Sequence, residues 1–120
     1  MNGIVKIKEN YEFRRAYARA GSLVSPYFVV YYMKNRTDNI RLGITAGKKI
    51  GGAVSRNRAK RVITAAFRGC LPYICTGYDF IIVARARILS VKSTTAEESL
   101  LKLLKKAGAC KKFDNAENLN

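Results

Sequence analysis

The sequence predicts a single small α+β domain in which helices pack on a central sheet. Three observations predict it. Apolar residues recur at helical spacing in three separate stretches, while β-branched and aromatic residues gather in three short runs between them. The chain has 120 residues, 48% of them hydrophobic, which is enough for one small core and too few for two.

The first helix is expected from Asn10, a residue type that caps helices, to about Ala20. Phe13, Ala16, Tyr17 and Ala20 fall on one face, with Arg14, Arg15 and Arg19 around the rest. Core packing is the ordinary role of such an aromatic face. Tyr27 to Met33 then reads as a strand, rich in Val, Tyr and Phe. Tyr27, Val29, Tyr31 and Met33 share one side and Phe28, Val30 and Tyr32 the other, so both sides should be covered. Asn35 to Asn39 is a polar turn and Ile40 to Ala46 a second strand, which together predict an antiparallel hairpin.

The stretch from Lys48 to Arg68, KKIGGAVSRNRAKRVITAAFR, carries seven cationic side chains and no acidic one. Laid on a helix, Ala59, Val62, Ile63, Ala66, Phe67 and Cys70 face inward. Asn57, Lys60, Arg61, Thr64 and Arg68 collect on the opposite side, flanked by Arg56 and Arg58. Ser55 is a good N-cap, although Gly51 and Gly52 permit an earlier start. Lys48 and Lys49 precede that start, so a phosphate there would meet two ammonium groups and the free N–H groups of the helix end. A charge run on a helix is usually a solvated face. Here eight Lys or Arg residues and no Asp or Glu lie between Asn39 and Tyr78, and such uncompensated repulsion is relieved by an external polyanion. The stretch therefore points to phosphodiester binding.

After the connector around Pro72, DFIIVA from Asp79 to Ala84 is a near-continuous apolar strand, expected to be buried and parallel to an earlier one. Arg85 and Arg87 at its end could extend the basic surface. Thr95 and Glu98 have capping-box spacing for a last helix, whose Leu100, Leu103, Leu104 and Ala107 form an apolar stripe ended by Gly108. The domain is expected to span residues 1–110, with residues 111–120 a disordered polar tail.

The net charge of +15 favours nucleic acid or an anionic membrane as partner. A membrane partner is disfavoured because no apolar run approaches about 18 residues. The first residues also lack the apolar core of a secretory signal, so a cytoplasmic location is expected. Cys70, Cys75 and Cys110 lack CxxC spacing and there is no histidine, which argues against a disulfide framework or zinc site. Gly43 to Lys48, GITAGK, falls one residue short of a phosphate loop, and Lys49 stands where a magnesium-binding hydroxyl belongs. The eight acids are Glu9, Glu12, Asp38, Asp79, Glu97, Glu98, Asp114 and Glu117; their spacing gives no paired acid–base site and no two-metal cluster. No catalytic residue and no metal ligand is therefore expected on this chain.

KKIGGAVSRNRAKR, Lys48 to Arg61, resembles the RNR signature of the bacterial ribonuclease P protein component. NYEFRRAY near the start and YDFIIVAR after the helix stand in that family's order and spacing, so the resemblance covers roughly Lys6 to Ala107. It implies a ribosomal protein S5 domain 2-like fold, with a sheet of about four strands, three helices and a left-handed βαβ crossover, where pattern alone would predict a right-handed one. It implies the protein subunit of a ribonucleoprotein that matures tRNA 5′ ends, with Mg2+ held mainly by the RNA subunit, which performs the hydrolysis.

The partners so implied are ribonuclease P RNA and the 5′ leader of precursor tRNA, with no membrane and no obligate protein partner. Lys48, Lys49, Arg56, Asn57, Arg58, Lys60, Arg61 and Arg68 would contact RNA, and Phe13, Tyr17 and Tyr31 would line a leader cleft. The sequence departs from the family at Thr64, where another basic residue is common. A structural or ribosomal-type RNA-binding protein with no role in cleavage is the alternative reading.

Overall fold

A computed structural model describes residues 4–111. Its strands are β1 (Ile4–Lys6), β2 (Gly21–Val24), β3 (Phe28–Lys34), β4 (Ile40–Thr45) and β5 (Tyr78–Ala84); its helices are α1 (Asn10–Arg19), α2 (Ala53–Cys70) and α3 (Ser93–Lys106). The strands form one mixed sheet in the order β1-β4-β5-β3-β2. β4 runs parallel to both β5 and β1, whereas β3 is antiparallel to β5 and to β2. The parallel unit β4–α2–β5 is the βαβ crossover. The sheet has five strands rather than about four, because β1 and β2 add short edges of three and four residues.

The expected hairpin does not form: β5 lies between β3 and β4, with Tyr78 opposite both Lys34 and Ile40. The reason is burial. β5 hides Phe80, Ile81, Ile82 and Ala84, so its apolar faces belong at the centre of the sheet, with a strand on each side. Residues 35–39 therefore bridge two strand spacings, about 10 Å, over the start of β5. Asn35 and Asn39 clasp Gly77 there: the Asn35 N–H donates to the Gly77 carbonyl (2.9 Å) and the Gly77 N–H to the Asn39 carbonyl (3.0 Å).

Period-2 alternation assigns the two faces of β3 as expected. Phe28 and Val30 enter the main core with Phe80, Ile82, Ile63, Phe67, Leu100 and Leu104, which joins the sheet to α2 and α3. Tyr31 and Met33 point the other way, into a smaller cluster formed by Ile7, Ala16 and Ile81 beneath α1. One sheet thus carries two helices on one face and a single short helix on the other.

Three helix starts differ in detail. Glu9, not Asn10, occupies the cap position of α1, with its carbonyl accepting the Glu12 N–H at 3.0 Å. α2 takes the earlier of its two possible starts, with Gly52 as cap and Ser55 inside the first turn. Gly51, at φ +136°, turns the chain there, and a Cβ on it would lie 3.1 Å from that of Ser55. α3 begins at Ser93 with Lys92 as cap, so Thr95 and Glu98 lie within the helix and make no box. The earlier start places fully buried Ala96 in its first turn. Gly108, at φ +76°, ends α3 as expected, with the Ala109 N–H returning to the Leu104 carbonyl at 3.0 Å. The expected tail lies outside the described residues except for Lys111.

Candidate nucleic-acid interface

α2 is amphipathic in the way its periodicity predicts. Ala59, Ile63, Ala66, Phe67 and Cys70 are fully buried, and the edge-on contact of Phe67 with Phe80 (5.7 Å between ring centres) fixes the helix against β5. That anchoring leaves Asn57, Arg58, Lys60, Arg61 and Arg68 exposed, with Arg56 half-buried at the margin. Lys48 and Lys49 are exposed in a 3-10 turn, Lys48–Ile50, tethered by buried Ile50. All eight expected RNA-contacting residues therefore lie on α2 or the turn that leads into it.

The electrostatics of this face are one-sided. Among the described residues, the only ion pairs are those of Arg41 with Glu12 and Asp79, and the cations of α2 have no acidic partner. The first turn of α2 contains no acid, and its N-cap makes no side-chain hydrogen bond, so its leading N–H groups keep their attraction for an anion. Lys48 and Lys49 also reach toward Arg85 across a groove of about 560 Å³ floored by Ile50, Val83 and Ala84. The basic surface thus runs from α2 to the end of β5.

The aromatic residues occupy the opposite face of the sheet. Tyr17 on α1 and Tyr31 on β3 meet edge to face, with ring centres 4.9 Å apart and planes at 64°. Tyr17 is 44% exposed, which leaves ring surface available for stacking. Phe13 lies deeper, against Gly43, where a Cβ would come within 2.8 Å of its ring. Its ring therefore packs α1 onto the sheet as well as flanking the tyrosine pair. Val83, across from Val29 in the register, continues this face into the groove of Lys48 and Lys49.

A polar network that sequence reasoning missed holds α1 in place. Arg41 on β4 donates to the Glu12 carboxylate of α1 and, at 3.2 Å, to Asp79 on β5. Asp79, only 5% exposed, also accepts from the Asn35 side-chain amide at 2.9 Å. The hydrogen bond to Glu12 is the main influence raising the Arg41 pKa, with burial opposing and Asp79 assisting. The sequence signal was slight: an arginine and an aspartate on two strands, opposite each other only once β4 is known to pair with β5.

The same network bears on catalysis and metal binding. Glu12 and Asp79 are both engaged by Arg41, and no group of three Cys, Asp or Glu among the described residues could hold a metal ion. Among the described residues, Glu12 and Asp79 are thus committed to Arg41 rather than gathered as metal ligands. Cys70 is fully buried and its thiol is pushed up to about 12, chiefly by burial, with Glu97 adding to the shift. It is a packing residue. No helix among the described residues is long and apolar enough to cross a membrane.

These features define a class: a small α+β domain whose longest helix presents an uncompensated cationic face, suited to a nucleic-acid polyanion. Comparison with known proteins gives the family. The ribonuclease P family model matches residues 1–108. A ribonuclease P protein component from Thermoanaerobacter sp. (strain X514) is 41% identical over 103 residues, covering 86% of this chain and 89% of that protein. Another, from Clostridium beijerinckii, is 37% identical and covers 98% of this chain and 97% of that protein. The solved structure of the Staphylococcus aureus RNase P protein superposes with a TM-score of 0.77 at 36% identity, covering 88% of this chain and 97% of that one. The Thermotoga maritima RNase P protein gives 0.76 at 33% identity, covering 85% and 96%. The chain belongs to the family of ribonuclease P protein components, and its work lies in tRNA 5′-end processing with an RNA partner.

Proposed function

We propose that the chain is the non-catalytic subunit of a ribonucleoprotein hydrolase, binding ribonuclease P RNA through α2 and the 5′ leader of precursor tRNA across the α1 face. Lys48, Lys49, Arg56, Asn57, Arg58, Lys60, Arg61 and Arg68 contact the phosphates of the folded RNA. Phe13, Tyr17 and Tyr31 line the leader cleft, where stacking on Tyr17 accepts any base. Cations beside that cleft follow the leader backbone. The complex works in the cytoplasm.

The observation that carries this reading is the division of charge: the α2 cations lack acidic partners among the described residues, while Glu12 and Asp79 are tied to Arg41. Unpaired cations beside carboxylates committed to an arginine suit a surface that binds and positions RNA better than one that hydrolyses it. Hydrolysis is accordingly assigned to the RNA subunit and the magnesium ions it holds.

The test is cleavage of a leader-bearing precursor tRNA in low magnesium by protein alone, ribonuclease P RNA alone, and both together. Efficient cutting at the mature 5′ end by the mixture only is expected. If the protein adds nothing to the RNA, the chain is a structural RNA-binding protein; cutting by protein alone would overturn the assignment of chemistry to RNA.

A further inference from the structure

Lys60, Thr64 and Arg68 form one row along α2, each separated from the next by a single turn, with Thr64 in the middle. The short Thr64 side chain leaves a gap in this row. Behind it lies a hollow of about 410 Å³ between α2 and the β1–β4 edge of the sheet, within the roughly 300–1,000 Å³ typical of small-ligand sites. Its floor is aliphatic, formed by Ile4, Ile7, Leu42 and Ile44, and its polar lining is Lys6, Lys60, Thr64 and Arg68. No acid lines it.

We propose that this hollow receives one unstacked nucleotide of the RNA subunit, with the base against the aliphatic floor and its phosphates between Lys6, Lys60 and Arg68. The proposal rests on the reading of α2 as the face that binds ribonuclease P RNA. An apolar floor ringed by three cations matches the two halves of a nucleotide, an apolar base face and an anionic backbone. The hollow is continuous with the α2 cations, and Ile4, Leu42 and Ile44 of its floor belong to the α2 side of the sheet, with only Ile7 at the edge shared with the cluster beneath α1, so the occupant comes from the RNA bound by α2 and not from the leader. The Thr64 hydroxyl already donates to the Lys60 carbonyl at 2.7 Å, so the helix wall supplies contact area and leaves no free hydroxyl proton to read a base edge. Lys6 belongs to this site although it lies 54 residues from Lys60 in the chain, brought there by the parallel pairing of β1 with β4.

The test uses the full chain with ribonuclease P RNA alone and no precursor. Thr64→Ala keeps the hollow open; Thr64→Leu fills it without charge, and Thr64→Arg fills it while adding a cation. Affinity and 2′-hydroxyl acylation of the RNA are read for each, with thermal unfolding to establish that every variant folds. Wild type and Thr64→Ala should protect the same unpaired nucleotide. Thr64→Leu should lose that protection and bind about tenfold more weakly, the loss of one base contact. Thr64→Arg should bind no better than Thr64→Ala despite its extra charge. Tighter binding by Thr64→Arg, or protection that survives in Thr64→Leu, would overturn the pocket while leaving RNA binding by α2 intact. Failure of the wild type to bind the RNA would refute the reading of α2 itself.

Discussion

The two faces of the sheet use charge in opposite ways. On the α2 side, cations are displayed on an anchored helix without acidic partners among the described residues, and a bound polyanion would relieve their mutual repulsion. Beneath α1, Arg41 is spent on Glu12 and Asp79, where it fixes the helix that carries Phe13 and Tyr17. Charge on the first face is left unpaired, whereas charge on the second holds the fold together. Position in the sheet, not residue type, decides what an arginine does in so basic a chain.

The largest expected effect of breaking that distinction is at Arg41. Arg41→Met leaves Glu12 and Asp79 facing each other without a counter-charge in a largely buried site, and should cost about 3 kcal/mol of stability in denaturant unfolding. A change below about 0.5 kcal/mol would place Arg41 with the surface cations instead. On α2 the opposite pattern is expected. Replacing Arg58, Lys60 and Arg61 together by alanine should leave unfolding unchanged or slightly improved, because like charges are removed from an exposed face. The log–log salt dependence of RNA binding should become shallower by about 2, at roughly 0.7 per lost phosphate contact. An unaltered salt slope would mean that these side chains do not touch phosphate.

How much of this was legible in the sequence follows from the range of the interactions. The face of α2 could be read residue by residue, since an 18-residue helix repeats its pattern and every relation in it lies within four positions. The two sides of β3 were legible for the same reason at period 2. Sheet order was not, because the central place of β5 depends on pairings across the chain, such as Tyr31 with Ile81. β1 and β2 were too short and too exposed to show a period. The Arg41 network was hidden behind the same missing register. The capping motifs misled because Asn10 and Thr95 carry the right side chains, yet burial of Ala16 and Ala96 constrains where those helices sit. For the proposed leader cleft, the sequence showed only that Phe13 and Tyr17 share one face of a helix and that Tyr31 lies on one face of a strand, and the fold brings those faces together. Only the fold shows that Phe13 is wedged against Gly43 while Tyr17 keeps an open ring.

That difference between the two rings selects the most direct test of separate duties for the two faces. Phe13→Ala would disturb packing along with any base contact, whereas Tyr17 is exposed enough to be truncated without opening the core. The measurement is the affinity of the reconstituted ribonucleoprotein for leader-bearing precursor relative to mature tRNA, in wild type and Tyr17→Ala. The ratio should fall about tenfold, within the 1–3 kcal/mol of a stacked base, while affinity for mature tRNA and for ribonuclease P RNA stays constant. Equal losses for precursor and mature tRNA would contradict it, because the α1 face would then have no particular hold on the leader.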